Sequence, residues 1–120
     1  MRAMIQTELG GPECLRMTEA PRPQPGPGEV LVRIAAASIN AIDTKLRRFG
    51  GPLAPELPGT LGCDLAGVVE AVGAGVTHLK AGDRVMGCTG GVRGMPGAYA
   101  EYAAVDSRLL VPVPDNLTLR

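Results

Sequence analysis

Two short stretches hold the side chains most able to do chemistry. Cys63 and Asp64 set a soft thiol beside a carboxylate at the start of an apolar run, and Asn40 and Asp43 stand three residues apart. A thiolate and a carboxylate oxygen are both metal ligands, but a catalytic zinc normally takes three ligands from protein and a structural one four, so two adjacent residues do not suffice. Asn40 and Asp43 have a plain structural explanation: asparagine favours the N-cap of a helix, and an acidic residue in the first turn suits the positive end of the helix dipole. His78 is the sole histidine, which leaves neither a Ser-His-Asp set nor a histidine-rich metal site within this chain. Between Thr77 and Leu79 it reads as an exposed loop residue. The glycines from Gly87 to Gly97 have no GxGxxG or Walker spacing, so they form a loop and not a phosphate cradle.

These residues depend on the elements around them. From Ala66 to Val72 the chain alternates, with Val68, Glu70 and Val72 on one face and Val69 and Ala71 on the other, as a pleated strand requires. Gly67, without a Cβ, allows close approach of another backbone or a ligand. The Ala81-Gly82-Asp83 turn then sends the chain back into a strand from Arg84 to Gly87. Ile42, Leu46 and Phe49 fall at i, i+4 and i+7, an apolar stripe predicting one helix that starts at Asn40 and stops at Gly50-Gly51-Pro52. Leu53 to Pro58 is expected to be a proline-rich loop placed to cover the Cys63 turn.

The rest reads as strands and turns. Met1 to Leu9 and Cys14 to Glu19 are expected to pair as a hairpin across Gly10-Gly11-Pro12, with Cys14 a small buried hydrophobe. Ala20 to Gly28 carries Pro21, Pro23, Pro25 and Pro27 and so reads as an extended surface connection. Glu29 to Ser38 should be a strand, with Val30, Val32, Ile34 and Ala36 on one face. Ala98 to Val105 and Leu109 to Val113 should be the last two.

Composition bounds the function. At 120 residues, with 45% hydrophobic and 20% charged, the chain suits one globular domain with a real core. Seventeen glycines and eleven prolines interrupt helices and favour a mainly β fold, a barrel or sandwich. Twelve basic and twelve acidic residues cancel, leaving no positive field to attract nucleic acid. Cys14, Cys63 and Cys88 are widely spaced without a CxxC pair, which argues against a disulfide framework or zinc knuckle and for a reducing, cytoplasmic setting. No run approaches the roughly 20 apolar residues that span a bilayer, so no membrane partner is expected.

Taken together, PGPGEVLVRI, ASINAIDTKLR, PGTLGCDLAGVVEAVGAGV, KAGDRV, GAYAEYAAV and VPVPDNLT resemble the N-terminal, GroES-like catalytic domain of the medium-chain dehydrogenase/reductase superfamily, most nearly its zinc-independent quinone oxidoreductase branch. The likeness covers nearly the whole chain, and the combination is far more specific than any one piece. It implies a GroES-like, partly open β-barrel with one or two short helices over residues 1–114. Residues 115–120 would then begin the connection to a Rossmann domain whose glycine fingerprint would follow Arg120.

In the zinc-dependent alcohol dehydrogenases of this superfamily a cysteine stands where Asn40 is, and a His-Glu pair stands in place of Cys63-Asp64. Asparagine is a poor substitute for thiolate on zinc, and only Cys88 falls where the four-cysteine structural lobe would lie, so no zinc is expected. By the same resemblance, Asn40, Ala41, Asp43 and Thr44 would line the cleft where nicotinamide and substrate meet, with Cys63 and Asp64 as the opposite lip. The implied activity is hydride transfer from NADPH to a small quinone or enone, with the Asn40 amide or Thr44 hydroxyl donating to the developing oxyanion. NADPH would be held mainly by the Rossmann domain, so no turnover is expected of this chain alone. A homo-oligomer is compatible with this reading. Two alternatives stand beside it: a free-standing GroES-like binding or assembly module, and a zinc-dependent alcohol dehydrogenase-type domain.

Overall fold

The computed structural model describes all residues, Met1–Arg120. It is mainly β, as expected. In chain order the elements are β1 (Arg2–Gln6), a 3-10 turn (Pro12–Cys14), β2 (Leu15–Glu19), β3 (Glu29–Ala37), α1 (Ala41–Phe49), β4 (Gly59–Thr60), β5 (Asp64–Val72), β6 (Arg84–Cys88), β7 (Tyr102–Asp106), a second 3-10 turn (Ser107–Leu109) and β8 (Val111–Pro112). They form a three-stranded sheet ordered β2-β1-β4 and a five-stranded sheet ordered β7-β3-β5-β6-β8.

The seam between the sheets is the stretch just before β7. The expected strand from Ala98 begins as a ladder only at Tyr102, because residues 98–101 are bonded in several directions at once. Tyr99 accepts from the Met4 N–H at 2.7 Å and donates its own N–H to the Leu61 carbonyl at 3.1 Å, while the Glu101 carbonyl accepts from Ile34 at 2.9 Å. One short segment therefore ties β1, β3 and the approach to β5 into an incomplete barrel.

β5 follows its alternation. Leu65, Gly67 and Val69 are buried, while Glu70 points outward and pairs with Arg22 at 3.0 Å. A Cβ on Gly67 would overlap the Arg33 carbonyl oxygen, so glycine is what lets β3 and β5 lie this close. On β3, Val30, Leu31 and Val32 are all buried, so both faces are covered near its start and Ile34 is only half-buried. The main core gathers ten buried residues, among them Val30, Val32, Leu65, Val69, Val85 and Val105. Each large aliphatic side chain buried this way contributes roughly 1.5 to 3 kcal/mol.

Several expectations change in detail. β1 ends at Gln6 because its side-chain nitrogen turns inward and donates to the Glu8 and Arg47 carbonyls, both at 2.8 Å. Cys14 is buried, but in the turn before β2 and not within the strand. Of the stripe Ile42, Leu46, Phe49 only Leu46 faces inward: α1 buries Asp43 and Leu46, leaving Phe49 70% exposed. Leu46 joins Ala54 and Leu61 in a second, three-residue cluster, so the loop expected to cover the Cys63 turn packs beside the helix through Ala54. All three cysteines are free thiols. No helix is long and apolar enough to cross a membrane.

Candidate functional site

The loop from the end of β3 to α1 and the turn leading into β5 meet at a buried carboxylate. Asp43 is 2% exposed and accepts four hydrogen bonds. Its Oδ2 takes the Asn40 N–H at 2.9 Å and the Tyr99 hydroxyl at 3.2 Å. Its Oδ1 takes the Gly62 N–H at 3.2 Å and the Cys63 thiol at 3.4 Å. The backbone bond from Asn40 is one half of a capping box, the reason the helix starts there. The other three donors lie 19 to 56 residues away, so this residue joins the helix to the rest of the fold. They also set the helix's rotation, which explains why Asp43 and not Ile42 or Phe49 faces inward.

The second carboxylate opens toward solvent. Asp64 Oδ2 accepts from Asn40 Nδ2 at 2.7 Å and from Ser38 Oγ at 2.9 Å. The Asn40 bond first, and the Ser38 bond second, hold the Asp64 carboxyl below the usual carboxylate range. Across the ladder Asp64 stands opposite Cys88, which is exposed. Ser38 and Asp64 line a depression of about 260 Å³ together with Leu65, Ala66, Leu119 and Arg120. A larger groove of about 530 Å³ flanks the same 36–37 backbone and is walled mainly by aliphatic side chains such as Leu15, Met17, Ile34 and Ile39, with Tyr99 at its edge.

Of the residues picked from sequence, Asn40, Asp43, Cys63 and Asp64 are thus brought into one hydrogen-bonded set. Ala41 is exposed on the first turn beside them. The Thr44 hydroxyl donates back to the Ala41 carbonyl at 2.7 Å. Sequence reasoning missed Ser38 and Tyr99. Ser38 is two residues before Asn40 and could have been suspected; Tyr99 carried no local sign that its hydroxyl reaches Asp43.

Burial, reinforced by the bond to Asp43, pushes the Cys63 thiol up to about 12, so it keeps its proton and acts as a donor. No group of three or more His, Cys, Asp or Glu side chains is arranged to hold a metal ion. Two consequences can be measured. In the native chain only Cys88 should react promptly with a thiol-specific reagent, Cys14 and Cys63 becoming reactive on unfolding; prompt reaction of all three would contradict the buried geometry. Above about pH 9 the unfolded chain ionises this thiol while the folded chain does not, so stability should fall as pH rises toward 12.

The polar rim has unused hydrogen-bonding capacity. The Asn40 amide has a second hydrogen to offer and Asp64 a second oxygen, which suits a carboxamide or a carbonyl oxygen. The depression beside Asp64 has one cation in its lining, Arg120.

Comparison with known proteins shows the family and the fold. The alcohol dehydrogenase GroES-like domain family matches residues 26–115. The quinone oxidoreductase of Rattus norvegicus is 38% identical over 121 residues, spanning 100% of this chain and 36% of that protein. An alcohol dehydrogenase superfamily protein from Novosphingobium aromaticivorans superposes with a TM-score of 0.92 at 46% identity, covering 100% of this chain and 36% of the other. The Escherichia coli quinone oxidoreductase complexed with NADPH superposes with a TM-score of 0.88 at 33% identity, covering 99% and 35%. The chain therefore spans about a third of the length of these relatives. With its incomplete barrel, its single helix capped at Asn40 and a match over three quarters of its length, the chain belongs to the alcohol dehydrogenase GroES-like domain family.

Proposed function

We infer that this chain is the N-terminal, substrate-side domain of an NADPH-dependent, zinc-independent oxidoreductase that reduces small quinones or enones in the cytoplasm. Residues 1–114 form that domain, and residues 115–120 begin the connection to a Rossmann domain. The observation that carries the reading is the Asn40–Asp64 bond at 2.7 Å, with Asp64 in the lining of the depression and an amide where the resemblance puts a zinc-binding cysteine in metal-dependent relatives. The likeness to quinone oxidoreductases, one of them complexed with NADPH, supports the choice of substrate and cofactor.

When bound, NADPH supplies the hydride. The chain's own residues orient and polarise the acceptor. Asp64 fixes one hydrogen of the Asn40 amide, leaving the other to point at an oxygen on which negative charge develops as the carbon is reduced. Thr44 and Ala41 form the rim beside it, and the Thr44 hydroxyl can join only by giving up its bond to Ala41. Asp43 works from below by fixing the helix start, and Cys63, a buried neutral thiol, supports it from beneath the helix with one hydrogen bond. Exposed Ile39, next to Asn40 in the chain, gives the surroundings an apolar character that suits a flat ring and excludes water once covered. No turnover is expected of the 120-residue chain by itself, since it supplies one wall only.

The test is NADPH oxidation by the intact protein with a quinone acceptor. Asn40→Ala should lower kcat by about 100- to 1000-fold, the scale of losing one oxyanion donor, with little change in NADPH affinity. Full activity in that variant, or one zinc per chain in the purified protein, would defeat the reading. A protein that never oxidises NADPH would point instead to a binding module.

A further inference from the structure

Tyr99 is placed where no requirement of the barrel alone would put a phenol. Its backbone is already fixed on both sides by Met4 and Leu61, so its side chain is not needed to hold the seam. The ring lies against Gly62, whose φ of +106 and lack of a Cβ make room for it: an added Cβ there would come within 2.8 Å of Tyr99 Cδ1. Two acceptors meet the hydroxyl, the Ser38 carbonyl and Asp43 Oδ2, each at 3.2 Å. These flank Asn40 on both sides in sequence. Ser38 and Asn40 are in turn the two donors to Asp64. One phenol hydrogen, shared between the Ser38 carbonyl and the Asp43 carboxylate, thus ties together the two ends of the six-residue segment 38–43 that carries the cleft's donors. Burial first, and the neighbouring Asp43 charge second, raise its pKa above the ordinary tyrosine value, so the hydroxyl stays a donor.

We propose that Tyr99 is a positioning residue: it acts through Ser38 and Asp43 to hold the Asn40 amide on Asp64, and so sets the geometry of the hydride-transfer cleft without touching substrate. This deepens the function proposed above and rests on it for its catalytic consequence. A positioning error near 1 Å is enough to cost about 100-fold in rate, so a loosened turn that still samples the right geometry should lose about tenfold.

Tyr99→Phe keeps the ring on Gly62 and removes only the hydroxyl. Asn40 and Asn116 are the only asparagines, so selective labelling of this chain gives two side-chain amide signals. In the wild type, Asn40 should show one amide proton shifted downfield by its carboxylate partner and slow to exchange. In Tyr99→Phe that signal should move toward the exposed Asn116 pattern while the sheet amides stay in place. In the intact reductase, Tyr99→Phe should lower kcat by about tenfold with KM nearly unchanged, and should add nothing in an Asn40→Ala background. An Asn40 signal unchanged by Tyr99→Phe, even with a lower melting temperature, would make Tyr99 structural and overturn the proposal; so would kcat losses that multiply in the double variant. If the intact protein does not oxidise NADPH, the function falls while the Asn40 signal still decides the positioning.

Discussion

Replacing Asp43 with alanine is expected to destabilise the domain by about 3 to 5 kcal/mol, one of the two largest single-residue effects in this fold. The carboxylate is 2% exposed and is the acceptor for four donors: two backbone N–H groups, a thiol and a phenol. Truncation removes the one acceptor that all four donors share. Each buried donor left unsatisfied costs roughly 1 to 3 kcal/mol, offset where water enters the space vacated. Asp43→Asn should cost less, because one oxygen can still accept from two donors while the new NH2 group faces the others. Urea unfolding followed by far-UV circular dichroism measures both. A loss below about 1 kcal/mol for Asp43→Ala would show that the four bonds are replaced by solvent and that the helix is held by Leu46 alone.

Gly67→Ala should be comparably damaging, by a different mechanism. Gly67 pairs with Ile34 on one side and Val85 on the other, so β5 has no free edge toward which to move. A methyl group there would overlap the Arg33 carbonyl oxygen and sit 2.7 Å from Val32 Cγ1. Overpacking ordinarily costs about 1 to 3 kcal/mol; here the obstacle is backbone, so about 3 to 5 kcal/mol and much insoluble protein are expected. Gly82→Ala is the contrast. Its φ is +93, but nothing lies within 4 Å of the added methyl, so only backbone strain of about 1 to 2 kcal/mol is at stake. Equal losses at the two positions would mean that crowding between β3 and β5 is not the cause.

Much of this was legible along the chain. The alternation of β5, the need for a glycine at 67 and the helix start at Asn40 are local properties, set by period, by a missing Cβ and by capping chemistry, and the structure shows each of them. The inward face of α1 was misread because hydrophobic spacing predicts rotation only where hydrophobic burial decides it. At α1 the polar bonds of Asp43 decide it, and Ile42 and Phe49 are turned out. Tyr99 was invisible for a related reason: its partner is 56 residues away, and GAYAEY looks like any half-buried strand. Gln6 hid in the same way, an amide drawn inward by the carbonyl of Arg47, 41 residues away. The Cys63-Asp64 pair was found from residue type, but its two members work apart, one locked beneath the helix and the other at the rim.

The packing is divided, with ten residues in the sheet core and three beneath α1. Substitutions on the outer face of the helix, at Ile42, Lys45, Arg48 and Phe49, touch the smaller group at most. Such positions can drift without drawing on the reserve that keeps the sheets folded. A lineage carrying this scaffold is therefore free to change the outer face of its helix one residue at a time, with no compensating repair in the sheets.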